Sequence, residues 1–444
     1  MLTVQDESAR PSRRARTEPL RATSETRARN SARTASAALP AAPGDGVVEA
    51  RQRPEAAPPG HYAKDVSALL DPGAETRVSR RHVRHAQRAV LWRESRLERV
   101  RKCGRVTHGG DGGNVRVRAK EQPGTVLSQP PTTIAHYSGL TSCGSIWACP
   151  VCNPKIRNGR SVEISAAAAE WDRAGNSVVM VTLTFPHDLG MRLSALLPLL
   201  AAGFRAVIRG RPWRRVRDQL GIVGTIRAIE VTHGASGWHP HAHVLVFARG
   251  ELGAEGIAAL AVYVRTRWAK WITGKGYRLP HETHGVDISI CSSAEEAGNY
   301  VAKLQDGRSA GNELARGDLK QGRNGSRTPF EILDDFRWTG DVEDLALWHE
   351  YETATKGHQA ITWSKGLRAI FGAEQERTDE ELAAEEVGGE DLAVIPAEVW
   401  AEIVKIPGLD AALLDVAERS GLDGMNKLLA WHGIGPALPP HQPG

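Results

Sequence analysis

No apolar run in this 444-residue sequence approaches the roughly 20 residues that a membrane-spanning helix needs. The first residues are rich in arginine and lack the apolar core of a secretion signal. A cytoplasmic protein with no membrane partner is therefore the simplest expectation. Cysteine is scarce: there are five, an odd number, and four lie upstream of position 153. That pattern argues against a secreted disulfide scaffold. Internal repeats are absent. So is a strong charge of one sign, because the net charge of +5 permits a polyanionic partner without requiring one. What is present is ordinary for a globular chain with a real core, 41% hydrophobic and 25% charged.

Composition divides the chain. Residues 1–75 are rich in Ala, Pro, Ser and Arg without apolar periodicity and read as a disordered basic arm. Residues 76–175 hold a basic stretch from Arg77 to Lys102 that suits a helix, then a Cys-rich segment. Its charges make either a solvated face or phosphate contacts. Residues 176–308 carry regular patterning. Strands are expected at Ser177–Phe185, Ile222–Thr232, His241–Phe247 and Val286–Cys291, and helices at Leu193–Ile208, Gly256–Ile272 and Glu295–Leu304. The order β-α-β-β-α-β followed by a helix predicts an α+β fold, an antiparallel sheet of the split βαβ, ferredoxin-like kind with helices on one face. Residues 309–372 extend this region, 373–395 read as an acidic linker, and 396–444 as a small helical tail.

The chemistry concentrates first in Trp238-His239-Pro240-His241-Ala242-His243. Side chains alternate faces along a strand, so His241 and His243 project the same way and make half of a divalent-metal site. If the turn His233–Trp238 pairs Thr232 with His239, Glu230 falls opposite His241 on the same face. A slip of one residue would send it to the other face. The plainer alternative is a set of satisfied polar residues on a sheet. His239, beside a proline at the strand mouth, is expected to support the site or contact DNA, or to be structural.

Further on, Glu296 and Tyr300 stand four apart and share a helix face, with Lys303 one turn beyond. A tyrosine ionises near pH 10, so as a nucleophile it needs a base, cation or metal nearby. Ser293 and Glu296 also make an S-x-x-E capping box, and Tyr300 could equally be core.

Cys143, Cys149 and Cys152, with Cys103 upstream, offer four thiolates. The Cys-Pro-Val-Cys turn suits two ligands on one Zn²⁺ and Cys103 would complete a tetrahedron. His108 or His136 could replace a Cys. The other reading of a C-x-x-C is redox chemistry, but the βαβ context of such a motif is missing. Cys291 is expected to be buried and inert. Lys155, Arg157 and Arg160 beside this knuckle could bind DNA or be solvated, and Trp238, Trp268 and Trp271 could stack bases or fill a core.

These residues resemble the HUH endonuclease superfamily, and within it the rolling-circle replication initiators of small plasmids that use one catalytic Tyr with a Glu one turn before it. Thr182-Leu183-Thr184-Phe185-Pro186, His239-Pro240-His241-Ala242-His243 and Glu296 through Lys303 look like its three motifs in order. Leu304 departs from the aromatic expected after the Lys. The resemblance spans Cys103 to Trp363. It implies Tyr300 as nucleophile on origin DNA, giving a 5′-phosphotyrosine and a free 3′-OH. It also implies Mg²⁺ or Mn²⁺ on His241, His243 and Glu230, with Glu296 activating water and Lys303 as the nearby cation. Host helicase and polymerase would be partners. An HUH transposase or relaxase shares this chemistry. A non-heme iron oxygenase shares only the two His and one carboxylate, and a non-catalytic zinc-dependent DNA-binding protein needs only the cysteines.

Overall fold

The protein was described from a computed structural model, which describes residues 72–108, 113–122, 132–282, 284–291, 297–298, 326–372, 376–386 and 388–440. All belong to the unit 66–444. The β-branched run Ser177–Leu183 (β3) is the second strand from one edge of a five-stranded antiparallel sheet. With β4 (Ile222–Gly234), β5 (Gly237–Ala248), β6 (Val286–Ile290) and β7 (Ile361–Trp363), the order is β6-β3-β5-β4-β7. Two crossovers, through α4 (Leu193–Val207) and α5 (Gly210–Gln219), then through α6 (Ala254–Gly274), each skip a strand. That is the split βαβ order expected, with β7 added at the edge.

One face of this sheet carries Val179, Val181, Ala242, Val244 and Val246 against the apolar sides of α4 and α6, including Leu196, Leu200, Val264 and Trp268. The opposite face was expected to lack helices, yet α3 (Cys152–Arg173) and α9 (Leu367–Ile370) cover one end of it. The cause is Phe247, which meets Trp171 at 6.1 Å and Phe371 at 5.6 Å between ring centroids. An aromatic ring there needs cover. The other end of that face carries the histidines and is left uncovered by α3.

A second sheet, β2-β1-β8, is built from β1 (Val115–Gln122), β2 (Thr132–Ser138) and β8 (Glu390–Ile395). It buries Val115, Val117, Ala135, Ala393 and Ile395 against α11 (Ala397–Ile403) and α12 (Leu409–Trp431). Neither an acidic linker at 373–395 nor a separate tail at 396–444 describes this part of the chain. Within the acidic stretch, α10 (Asp379–Ala384) is capped by Thr378, and Leu382 packs on α3 at Gly159. The apolar set Leu392–Ile395 supplies β8. The acids are ion-pair partners: Asp379 meets Arg160 at 2.9 Å, and Asp391 and Glu386 meet Arg118 at 3.0 and 2.6 Å.

The basic stretch forms α1 (Pro72–Glu94) and α2 (Glu98–Lys102). It is bound to α12, because Arg88 and His85 reach the buried Asp410 carboxylate at 2.7 and 2.9 Å and Arg81 pairs with Asp415 and Glu418. A further pair, α7 (Pro329–Thr339) and α8 (Val342–Thr355), packs beside α4. Ser95 and the backbone N–H of Arg96 donate to the buried Glu352 of α8. Among the described residues no single helix is long and apolar enough to cross a membrane.

Candidate metal and nicking centre

The hairpin joining β4 and β5 turns through Ala235 and Ser236, between the paired Gly234 and Gly237. Gly237 has φ +84, a conformation that favours glycine. This short turn fixes the register, and Thr232 pairs with His239, Glu230 with His241 and Ala228 with His243. Directly opposed residues share a face, so Glu230, His241 and His243 converge. Their ligand atoms lie within 4.8 Å of one another. His241 Nε2 is 2.8 Å and His243 Nε2 3.5 Å from Glu230 Oε2. The three side chains keep 14–19% exposure, enough to reach a ligand from the open side.

Burial alone would raise the Glu230 carboxyl. The hydrogen bonds and charges of His241 and His243 outweigh it and hold the group at about 2. The carboxylate is therefore ionised at neutral pH. On the neighbouring strand Thr182 lies opposite His243, and its hydroxyl is 3.1 Å from Nδ1. That contact orients the ring so that Nε2 faces Glu230. The donor set of one carboxylate and two imidazoles fits a divalent cation with open positions.

His239 stands outside this trio. Its ring nitrogen Nδ1 lies 2.6 Å from Nε2 of His187, which is anchored in turn by the Ser236 carbonyl at 2.9 Å. Burial, then the charges of His241 and His187, push His239 down to about 4, so it is neutral at physiological pH. His187 was missed in the sequence. The signal was its place two residues after the Thr-Leu-Thr-Phe strand end. Thr184 donates to the His284 carbonyl at 2.7 Å, and Asp287 of β6 sits in register with Thr182.

Tyr300, Glu296 and Lys303 lie outside the described residues. Within that segment Ala297 and Gly298 are described: Ala297 is buried, and the Gly298 carbonyl accepts from Ser161 of α3 at 2.9 Å.

The other constellation is complete. Cys103 at the end of α2, Cys143 and Cys149 in the loop, and Cys152 at the start of α3 are all buried, with their sulfurs within 4.8 Å of one another. Cys103 is 3.6 Å from both Cys149 and Cys152, and Cys143 is 3.7 Å from Cys152. His108 and His136 do not join the group. Backbone N–H groups of Ser145 and Cys152 point at the sulfurs of Cys143 and Cys149. Of Lys155, Arg157 and Arg160, only Lys155 is exposed. Arg157 and Arg160 are buried, and Arg160 is held by Asp379. Trp238 is not free to stack a base, since it is 2% exposed and stacks on Tyr351. Trp268 is buried too, whereas Cys291 is half-buried rather than enclosed.

The fold and this site define an α+β protein with a two-histidine, one-carboxylate centre and a four-cysteine cluster. Comparison with known proteins narrows the class. A protein named Protein rep from Streptomyces lividans is 33% identical over 331 residues, which cover 60% of this chain and 73% of that protein. A neomycin resistance protein from Streptomyces cyanogenus is 27% identical over 302 residues, covering 53% of this chain and 69% of that protein. Another Protein rep, from Streptococcus pneumoniae, is 29% identical over 105 residues, 23% of this chain and 31% of that protein. No family model matches, and no solved structure does. The chain belongs to the Rep family of plasmid replication initiators.

Proposed function

We propose that this chain initiates plasmid replication by nicking one strand of origin DNA at a divalent-metal centre made by Glu230, His241 and His243, with Tyr300 as nucleophile. The observation that carries the reading is the convergence of an ionised carboxylate and two imidazoles on one face of the sheet. Glu230 supplies the negative charge that a cation needs, and Thr182 holds the His243 ring in one orientation. A Mg²⁺ or Mn²⁺ ion bound there would act as a Lewis acid toward a scissile phosphate oxygen.

In the proposed step the Tyr300 oxygen forms a bond to phosphorus while the bond to the 3′ oxygen breaks. The phenol proton passes to a neighbouring base or water, and the departing oxygen takes up a proton to become the 3′-OH primer. Glu296 would later activate water, or a returning 3′-OH would displace Tyr300, to end the cycle. The four cysteines would hold one structural Zn²⁺.

Incubating the full chain with single-stranded origin DNA and Mn²⁺ tests this reading. A covalent protein–DNA adduct mapped to Tyr300, absent from Tyr300→Phe, is the expected result. Attachment at Tyr263, Tyr277 or elsewhere, or no adduct at all, would overturn it. Cleavage at transposon ends or a transfer origin instead would point to the transposase or relaxase relatives.

A further inference from the structure

The short helix α5 has the sequence Gly-Arg-Pro-Trp-Arg-Arg-Val-Arg-Asp-Gln and follows Arg209. Arg209, Arg211, Arg214, Arg215 and Arg217 are all exposed, and Asp218 is the helix's only acid. Asp218 pairs with Arg217 at 2.8 Å. The helix repeats every 3.6 residues. Trp213, Val216 and Leu220 therefore share one side, where Trp213 packs on Tyr263 of α6 at 5.8 Å between centroids. Arg211, Arg214 and Arg215 point the other way. Arg205, in the last turn of α4, is exposed as well. Burial, and then the charge of Arg205, push Arg227 of β4 down to about 10.

We propose that α5 is a docking helix for the phosphate backbone of duplex DNA, contacting it through Arg211, Arg214 and Arg215. The choice of DNA as the polyanion rests on the nicking reading above. A ten-residue helix is about 15 Å long at 1.5 Å per residue. Duplex DNA carries a charge every ~3.4 Å along each strand, so a helix of that length runs beside about four phosphates of one strand, enough for three contacts. A basic amphipathic helix could also lie on an anionic membrane, but that requires a free apolar side. Here the apolar side is used up against Tyr263 and the core. The helix also stands at the far end of β4 from the metal centre. Ile222 to Glu230 is eight residues, about 27 Å of strand. The contact therefore falls on DNA flanking the nicked position, where it positions the substrate without taking part in the chemistry.

The test compares the full chain with its Arg211→Ala, Arg214→Ala, Arg215→Ala triple variant on a labelled random-sequence duplex, by anisotropy from 50 to 200 mM salt. Three lost phosphate contacts should lower the slope of log affinity against log salt by about 2.7. Across that range the wild type should lose about 40-fold more affinity than the variant does. The melting temperature should not change, because the three side chains are exposed. Adduct formation on a short single-stranded oligonucleotide should also be unchanged. An unaltered slope, or a wild type that does not bind duplex, overturns the proposal. So does a variant that loses binding to phosphatidylserine vesicles while keeping its DNA slope. A normal difference in slope with no adduct in either protein would leave α5 as a DNA helix and sink the nicking reading instead.

Discussion

If the four cysteines hold zinc, their present spacing already fixes what spectroscopy should find. In a regular tetrahedron the distance between corners is about 1.63 times the distance from the centre, so Zn–S bonds of ~2.3 Å predict sulfurs ~3.8 Å apart. Three of the six separations are 3.6, 3.6 and 3.7 Å, and all six lie within 4.8 Å. Those three imply a centre-to-sulfur distance of about 2.2–2.3 Å, within the ~0.2 Å tolerance of a credible site. A disulfide would need ~2.05 Å between two of them. Arg88, buried beside Cys103 and Cys149, offsets part of the charge that four thiolates bring. We expect one zinc per chain by elemental analysis, and an X-ray absorption spectrum with four sulfurs at about 2.3 Å and no nitrogen. His108→Ala and His136→Ala should leave that spectrum unchanged. Cys149→Ser with Cys152→Ser should lose the metal and lower the melting temperature. A nitrogen ligand, or metal-free protein that melts at the same temperature, would refute the assignment.

At the proposed nicking centre, His243→Ala should abolish adduct formation with little change in duplex affinity. Thr182→Val should weaken Mn²⁺ binding by roughly 10–100-fold, as expected when the group orienting a ligand is removed; calorimetric titration with Mn²⁺ measures it, and an unchanged affinity would remove Thr182 from the site. Acid should also loosen the contact between α1 and α12. Burial, only partly offset by Asp410, lowers His85 from its ordinary 6.5, so below that pH the unfolded chain takes up a proton that the native one refuses, and stability falls. Burial would raise Asp410, but His85 and Arg88 hold it well below its ordinary 3.8. Its contribution is complete above that value and is lost as pH falls through the lower, folded one. Urea unfolding from pH 7.5 to 3 should show declining stability, and a flat profile between pH 7 and 5 would contradict the His85 part. Asp410→Asn should cost about 3–5 kcal/mol at pH 7, the usual effect of breaking a buried pair.

Most of the five-stranded sheet could be read from the sequence because its strands carry strong local patterning. The alternation in His239-Pro240-His241-Ala242-His243 gave the face; the register was a condition, that Thr232 pair with His239, and the short turn between Gly234 and Gly237 meets it. The role of 376–395 could not be read that way. Its acids dominate any average, although Leu392–Ile395 is a strand whose partner, Val115–Val117, lies more than 270 positions upstream. Helix α5 was hidden for a similar reason: its sparse apolar residues are outnumbered by arginines, and only Tyr263 of another element shows what Trp213 packs on. His187 was hidden because its partner, His239, is 52 positions away.

One element explains how the cysteine cluster can matter to a site it does not touch. Helix α3 begins at Cys152, so the cluster pins its first turn. At 22 residues it runs about 33 Å. Its last turn lies on the five-stranded sheet, where Trp171 stacks edge-on against Phe247 and donates to the Ala248 carbonyl at 3.1 Å. Between these two anchors Ser161 holds the Gly298 carbonyl, two residues before Tyr300, and a Cβ on Gly298 would fall 1.7 Å from the Ser165 hydroxyl. That contact admits only glycine without movement. A helix fixed at one end by four sulfurs and at the other by a strand presents this surface at a set height above β3 and β5. If the cysteines hold zinc, losing it would free the first turn, and displacement there would reach Gly298 before it reached Glu230 or the histidines, which are positioned by their own strands.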